Sequence, residues 1–268
     1  MNAQILIRIR GLNTMTLKSN HVLQFKNVSF NYHQSHDILS DLNFEIKSGE
    51  FVSIVGASGT GKSTIFRLIV GLEQPNKGTI YLNDKVEEHR LGKVGYMPQK
   101  DLLIPWRTVL ENVALPLESK HRNYDKERVL HELESVGLEH THDKYPDQLS
   151  GGMRQRVSFL RASQSKADLL LLDEPFSALD AMTKIQMQEW LLKQWDRTKT
   201  SIVFITHDIL EALFLSDKII VIHETPIRLV EEFNVPLMRP RNRDQLDTSK
   251  LIQLKDELMD IFQSQVTR

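Results

Sequence analysis

The run Gly56-Ala57-Ser58-Gly59-Thr60-Gly61-Lys62-Ser63-Thr64 has the residue types that phosphate binding demands, in the pattern G-x-x-x-x-G-K-[ST]. Nucleotide phosphates are anionic and need several backbone N–H groups converging on them. Gly56, Gly59 and Gly61 let the backbone curl without Cβ clashes. A helix starting just after the loop would turn its positive N-terminal end toward the phosphates. In that frame Lys62 reaches the β- and γ-phosphates of ATP, and the Ser63 hydroxyl ligates Mg²⁺.

A second constellation ends an apolar run. Leu169 to Leu172 precede Asp173 and Glu174. Asp173 is expected in the Mg²⁺ shell, and Glu174 as the general base that polarises the attacking water. These two motifs define a phosphate-loop NTPase, and taken alone they suit a kinase or helicase equally well.

Such groups need a rigid frame, and the chain is long enough to build one. It has 268 residues, 40% hydrophobic and 26% charged, which is ordinary for a globular protein. The net charge of −1 gives no overall field to attract nucleic acid. The absence of cysteine excludes disulfides, thiolate metal sites and a Cys nucleophile, and fits a reducing cytoplasm. No run approaches the length needed to cross a bilayer.

Residues 1–21 read as a loose N-terminal extension, with Met1 and Met15 both available as the start. Residues 22–55 read as β-structure, with Leu42, Phe44 and Ile46 alternating with polar neighbours. Phe51–Val55 and Thr79–Leu82 read as strands. Residues 100–156 change character: Thr108–Leu117 and Asp125–Val136 carry helical spacing, with Asp125 as N-cap and Gly137 as stop. Strands then alternate with helices at Leu169–Asp173, Ile202–Thr206 and Lys218–Ile222, the pattern of a parallel sheet covered on both faces. From His223 the chain is polar and Pro-punctuated, ending in a helix with Leu251, Leu254, Leu258, Ile261 and Phe262 on one face. The expected organisation is one domain over 22–222 with a helical subdomain at about 100–156, and a C-terminal extension over 223–268.

Leu149-Ser150-Gly151-Gly152-Met153-Arg154-Gln155-Arg156 narrows the choice, because it resembles the signature motif of ABC ATPases. Ser150 can cap the following helix, and Gly151 and Gly152 permit close approach of phosphate. The resemblance covers about residues 22–240 and implies an α/β fold: a RecA-like phosphate-loop NTPase core with an antiparallel β subdomain and a helical insert. It implies a homodimer with ATP and Mg²⁺ at its interface, where Ser150, Gly151 and Gly152 of one chain face the nucleotide of the other. Gln99 is similar to the family's Q-loop glutamine, a Mg²⁺ contact that senses the membrane subunit. Asp180, in Ser177-Ala178-Leu179-Asp180, resembles the D-loop aspartate that crosses to the partner. His207 resembles the switch histidine on the γ-phosphate, and Tyr32 the aromatic that stacks on adenine. Met153 and Met97-Pro98 depart from the common family residues, and neither removes a catalytic group.

The run Asp101–Ala114, the signature with Met153 and the tail Val230–Arg241 resemble the branch that powers bacterial import of nitrate, sulfonates, taurine and thiamine-precursor pyrimidines. That implies integral membrane permease subunits, a separate solute-binding protein and a place on the cytoplasmic face of the membrane. Leu102, Leu103, Ile104 and Trp106 read either as the groove for a permease helix or as packing within the insert. Two competing functions remain: a soluble ABC ATPase acting on nucleic acid or ribosomes, and a phosphate-loop kinase. The first lacks its coiled-coil insertion and second cassette here, and the second has no use for Ser150-Gly151-Gly152 or His207. His140 and His142 read as a solvated turn, and Arg239, Arg241 and Arg243 as a solvated charged loop.

Overall fold

The computed structural model describes residues 20–32, 36–57, 59–120 and 124–266. The expectations for residues 1–19, including the choice of start, and for Ser58 fall outside them. Along the chain β1 (His21–Phe30), β2 (Leu39–Lys47) and β3 (Phe51–Gly56) lead into α1 (Lys62–Val70). β4 (Lys77–Leu82), β5 (Lys85–Val86) and β6 (Gly95–Met97) follow. Three helices come next: α2 (Val109–Lys120), α3 (Lys126–Ser135) and α4 (Gly151–Ser163). β7 (Leu169–Asp173), α5 (Ala181–Thr198), β8 (Ser201–Thr206), α6 (Ile209–Leu215) and β9 (Lys218–Ile222) then alternate, before β10 (Val230–Asn234) and α7 (Ser249–Val266).

The strands form two sheets. One is antiparallel, in the order β2-β1-β4-β5. The alternation read from the sequence puts Leu42, Phe44 and Ile46 inward. The other sheet runs β10-β9-β3-β8-β7-β6, parallel except for β10. β3, β7, β8 and β9 are buried along their whole length, as strands covered on both faces must be. A core led by Phe25, Phe66 and Ile54 fills the space between the sheets, with α1 packed into it.

The helical insert has its own core. Val109, Val113, Val129, Leu133, Val157 and Leu160 bring α2, α3 and α4 together. Asp125 caps α3 by accepting the Arg128 N–H, a bond that stabilises a helix by about 1 kcal/mol. Gly137 takes φ +69°, which suits the expected stop.

The C-terminal segment is bound more closely than its composition suggests. The expected boundary at 222/223 falls between two strands of one sheet, since β10 pairs antiparallel with β9 from Val230↔Ile222 onward. Its alternate residues are mostly exposed, so an edge strand of this kind carries little hydrophobic signal. The reading of Arg239, Arg241 and Arg243 as solvated is corrected. Arg239 lies 3.9 Å over the Trp195 ring and 2.9 Å from Asp217. The Arg241 side chain is fully buried and donates to the Leu213 and Phe214 carbonyls. Burial, and then the charge of Arg239, lower its pKa to about 10. Arg243 bonds Gln188 and covers the Phe214 ring. Two of these cations cap the C-terminal end of α6, where the helix dipole favours positive charge. α7 packs on α6 through Leu251, Leu254 and Leu258.

Candidate functional site

Register explains why distant residues meet. β3 lies beside β8, β8 beside β7, and β7 beside β6, all parallel. Pairing of Val55 with Thr206, Asp173 with Ile205 and Met97 with Leu172 brings four strand ends level at one edge. Beyond that edge lie the phosphate loop, His207, Glu174 and Gln99. The carboxyl ends of parallel strands are where open α/β sheets bind ligands.

The loop's glycines are required by geometry. A Cβ on Gly56 would stand 2.8 Å from the Ile222 carbonyl oxygen. Gly61 caps α1 at φ +96°, and a Cβ there would stand 2.7 Å from Ile38. Lys62 is buried, and its ammonium donates to the Gly56 and Ala57 carbonyls at 2.8 and 2.6 Å. Burial holds its pKa below the ordinary value, against the pull of Glu174 and Asp173. Thr60 bonds the Ala57 carbonyl, Thr64 is buried in the first turn of α1, and Gly59 faces open space. Thr225, in the segment after β9, donates to the Thr60 carbonyl at 3.2 Å, a contact that no sequence motif announced.

Asp173 ends β7 and is 6% exposed. Burial, and then the charge of Glu174, push its carboxyl up to about 6, although Ser63, Tyr96 and Lys62 pull it down. Tyr96 went unread in the sequence. It donates to Asp173 at 3.5 Å, and burial raises its own pKa to about 12. Ser63, Asp173 and Gln99 supply hard oxygen donors of the kind Mg²⁺ takes, and a buried carboxylate whose charge is disfavoured suits a nearby cation.

This Asp173 shift has a measurable consequence. A carboxyl whose folded pKa lies above its unfolded value favours folding at low pH, and loses that contribution as pH rises through about 6. Asp173→Asn in chelator is therefore expected to raise stability at pH 8 by about 2 kcal/mol. The gain should vanish toward pH 4, near the unfolded carboxyl value. Denaturant titration at both pH values checks this, and equal or lower stability at pH 8 would refute it.

Glu174 adopts φ +45°, a conformation that costs a non-glycine residue about 1–3 kcal/mol and clusters at functional sites. Its N–H bonds the Ile205 carbonyl at 3.0 Å, and its own carbonyl accepts the Ser177 hydroxyl. Its carboxylate faces two groups. Gln99 Nε2 donates to Oε2 at 3.0 Å, and His207 Nδ1 lies 3.6 Å from the same oxygen. The structure thus brings Lys62, Ser63, Gln99, Asp173, Glu174 and His207 together.

Ser150, Gly151, Gly152 and Asp180 form a second cluster. Ser150 caps α4 by accepting the Met153 N–H, and Asp180 caps α5 by accepting the Met182 and Thr183 N–H groups. A hydrogen bond from the Thr183 side chain, and then the backbone bonds, hold the Asp180 carboxyl below its ordinary pKa. The two helix starts touch: a Cβ on Gly152 would meet Thr183 at 2.9 Å, and one on Gly151 would lie 3.5 Å from Leu179. The Tyr32 hydroxyl accepts from Arg67 at 3.4 Å, and its ring is edge-on to Phe30. Phe30 is buried in the core, whereas Tyr32 is half-buried and packs against it. His140 and His142 lie in an exposed turn, His142 beside Asp143 at 3.0 Å.

Comparison with known proteins agrees with this geometry. Residues 39–177 match the family model described as ABC transporter. The chain is 44% identical over 231 residues to the formylaminopyrimidine import ATP-binding protein ThiZ of Halalkalibacterium halodurans, covering 85% of this chain and 89% of that one. It is 39% identical over 230 residues to the nitrate import ATP-binding protein NrtD of Synechococcus elongatus, covering 84% of each. Among solved structures, the dimeric ATP-binding cassette MJ0796 in a post-hydrolysis state with ADP and Pi aligns with a TM-score of 0.69 at 32% identity. That alignment covers 81% of this chain and all of the cassette. With its phosphate loop, acidic strand end and capped Ser-Gly-Gly helix set in this fold, the chain belongs to the ABC transporter ATPase family.

Proposed function

We propose that this chain hydrolyses Mg-ATP as a homodimer to drive a bacterial importer of a small solute of the nitrate, sulfonate, taurine or thiamine-precursor pyrimidine class. The observation that carries the chemistry is the convergence of Gln99 and His207 on the strained Glu174 beside the phosphate loop. The direction of transport is supported by relatives whose names specify import.

Residues Gly56 to Thr64, Ser58 included, cradle the phosphates through backbone N–H groups, Lys62 adds charge, and Tyr32 stacks on adenine. Ser63, Gln99 and Asp173 would hold Mg²⁺, which supplies charge neutralisation at the β- and γ-phosphate oxygens. Glu174 accepts a proton from the attacking water, and His207 holds the γ-phosphate by a hydrogen bond. Ser150, Gly151, Gly152 and Asp180 of a second copy complete each site. ATP binds the closed pair better than the open one, so binding shifts the population to closure and hydrolysis releases it.

Permease subunits, a separate solute-binding protein and a place on the cytoplasmic face of the membrane complete the proposed assembly, with no role for nucleic acid. No helix among the described residues is long and apolar enough to span a bilayer. The segment after Gln99 fits the permease contact. Leu103 is buried in the insert's core, whereas Leu102 and Trp106 are 62% and 77% exposed. Trp106→Ala is expected to weaken co-purification with the permease about tenfold or more while basal hydrolysis persists. Undiminished association would remove Trp106 from the interface.

Uptake of labelled nitrate, taurine, an alkanesulfonate and hydroxymethylpyrimidine, in cells carrying wild-type or Glu174→Gln protein, tests the reading as a whole. Selective loss of one solute supports it. Normal uptake of all four would overturn the solute class.

A further inference from the structure

Beneath His207 lies a group of charged and polar side chains that the proposed chemistry does not use. Glu211, on α6, is 5% exposed, and its carboxylate bonds the hydroxyl of buried Thr206. The same carboxylate accepts from Lys184 on α5 at 2.7 Å and from Gln188 at 3.2 Å. Lys184 also reaches Asp208 at 2.8 Å. The Asp208 N–H donates to the Thr206 hydroxyl at 3.0 Å, so the residues on either side of His207 are bonded to each other. The other Asp208 oxygen caps α6, accepting the Leu210 and Glu211 N–H groups at 2.9 and 3.3 Å. Gln188 is held in turn by Arg243 at 2.7 Å.

The histidine itself is held by little. Its side chain is 64% exposed, 3.6 Å from Glu174. The placement of the ring is therefore set from behind, by the backbone between Thr206 and Asp208. We propose that Lys184 and Glu211 are positioning residues for His207, fixing the turn that aims its ring at Glu174 and the terminal phosphate. This inference rests on the role given to His207 above.

Two further observations support it. Burial disfavours the Lys184 ammonium, yet Asp208 and Glu211 outweigh that and hold its pKa above the ordinary value. Burial likewise disfavours the Asp208 carboxylate, yet Lys184 and the amides of Glu211 and Leu210 hold its pKa down. A cluster of one cation and two carboxylates is a poor source of stability compared with apolar packing, and its attested use is to specify one geometry. Lys184 also stands one turn after Asp180, on the helix whose start touches Gly152. A partner subunit closing on that helix start would press on the support of His207.

Single-turnover hydrolysis of Mg-ATP by the full chain tests this. Lys184→Met is expected to lower the hydrolysis rate about 10- to 100-fold, the scale of a small misplacement of a catalytic group, with ATP affinity unchanged. Lys184→Arg should recover most of the rate. In a His207→Ala background Lys184→Met should add no further loss. The double variant Lys184→Met/Glu211→Gln removes both charges together, so its rate remains readable if Lys184→Met alone unfolds. The same loss from Lys184→Met with and without His207, or wild-type turnover in a folded Lys184→Met or double variant, would overturn the proposal. Wild-type turnover in His207→Ala alone would also overturn it, and would locate the failure in the role given to His207.

Discussion

Glu174→Gln is expected to bind ATP as well as the wild type and to hydrolyse it about 10²- to 10⁴-fold more slowly, the range a general base contributes. The substitution keeps side-chain length and an oxygen that can accept from Gln99 Nε2, now 3.0 Å from the carboxylate. It keeps the backbone at φ +45°, because the bonds to Ile205 and Ser177 use only main-chain atoms of residue 174. What it removes is the capacity to take a proton from water. Binding groups stay in place, so ATP-loaded protein should accumulate as a dimer that does not reopen. Size-exclusion chromatography with ATP, beside a phosphate-release assay, reads both effects. A variant that turned over at the wild-type rate would take the base role away from Glu174.

Lys62→Met should act on the earlier step, weakening ATP binding about 10²-fold or more. A charged hydrogen bond is worth about 1.5–3 kcal/mol, and Lys62 is placed to give more than one. Its ammonium bonds the Gly56 and Ala57 carbonyls, inside the phosphate loop. Methionine matches the length of the stem and removes the charge, so the fold should persist. A fluorescent ATP analogue titrated against both proteins gives the comparison. Affinity within a few-fold of wild type would mean that the loop amides suffice. Neither variant perturbs the core, so thermal unfolding without nucleotide should separate lost function from lost structure.

The parts of this site that could be read early are those whose chemistry is local. A phosphate loop is contiguous in sequence because one turn makes it, and Asp173 and Glu174 are adjacent because one strand end delivers them. Gln99 and His207 carry no local signal. They are ordinary polar residues at strand ends, and only the order of family motifs singled them out before the β6–β7 and β7–β8 registers brought them level with Glu174. Tyr96 and Lys184 gave no sign, since a tyrosine in a short strand commonly serves packing alone and a lysine in a helix usually faces water. The fold was legible wherever burial was one-sided or complete, as in β2, β3, β7 and β9. It was least legible from His223 onward. There Ile227 is fully buried and its backbone bonds Ile38 and Ser40, yet Leu229, two residues on, is 81% exposed, so no periodic apolar pattern marks the buried residue. The three arginines looked solvated because their partners, Asp217, Trp195 and the end of α6, come from elsewhere in the chain.

The strand order also bears on how the chain reaches this structure. β3 carries the phosphate loop and lies inside its sheet, with Phe51 paired to Ile202 and Val52 to Lys218. Both neighbours are made long after it. During synthesis the antiparallel sheet can close early, because β1, β2 and β4 are near in sequence. The helical insert can likewise gather around its own core. β3 must wait, apolar and unpaired on both sides, until nearly the whole ATPase domain has left the ribosome. Contacts of such sequence separation fold slowly and leave sticky strand edges in the interval. The phosphate loop is thus encoded early and completed late, and an interrupted chain would present a strand ready to aggregate in place of a site ready to bind ATP.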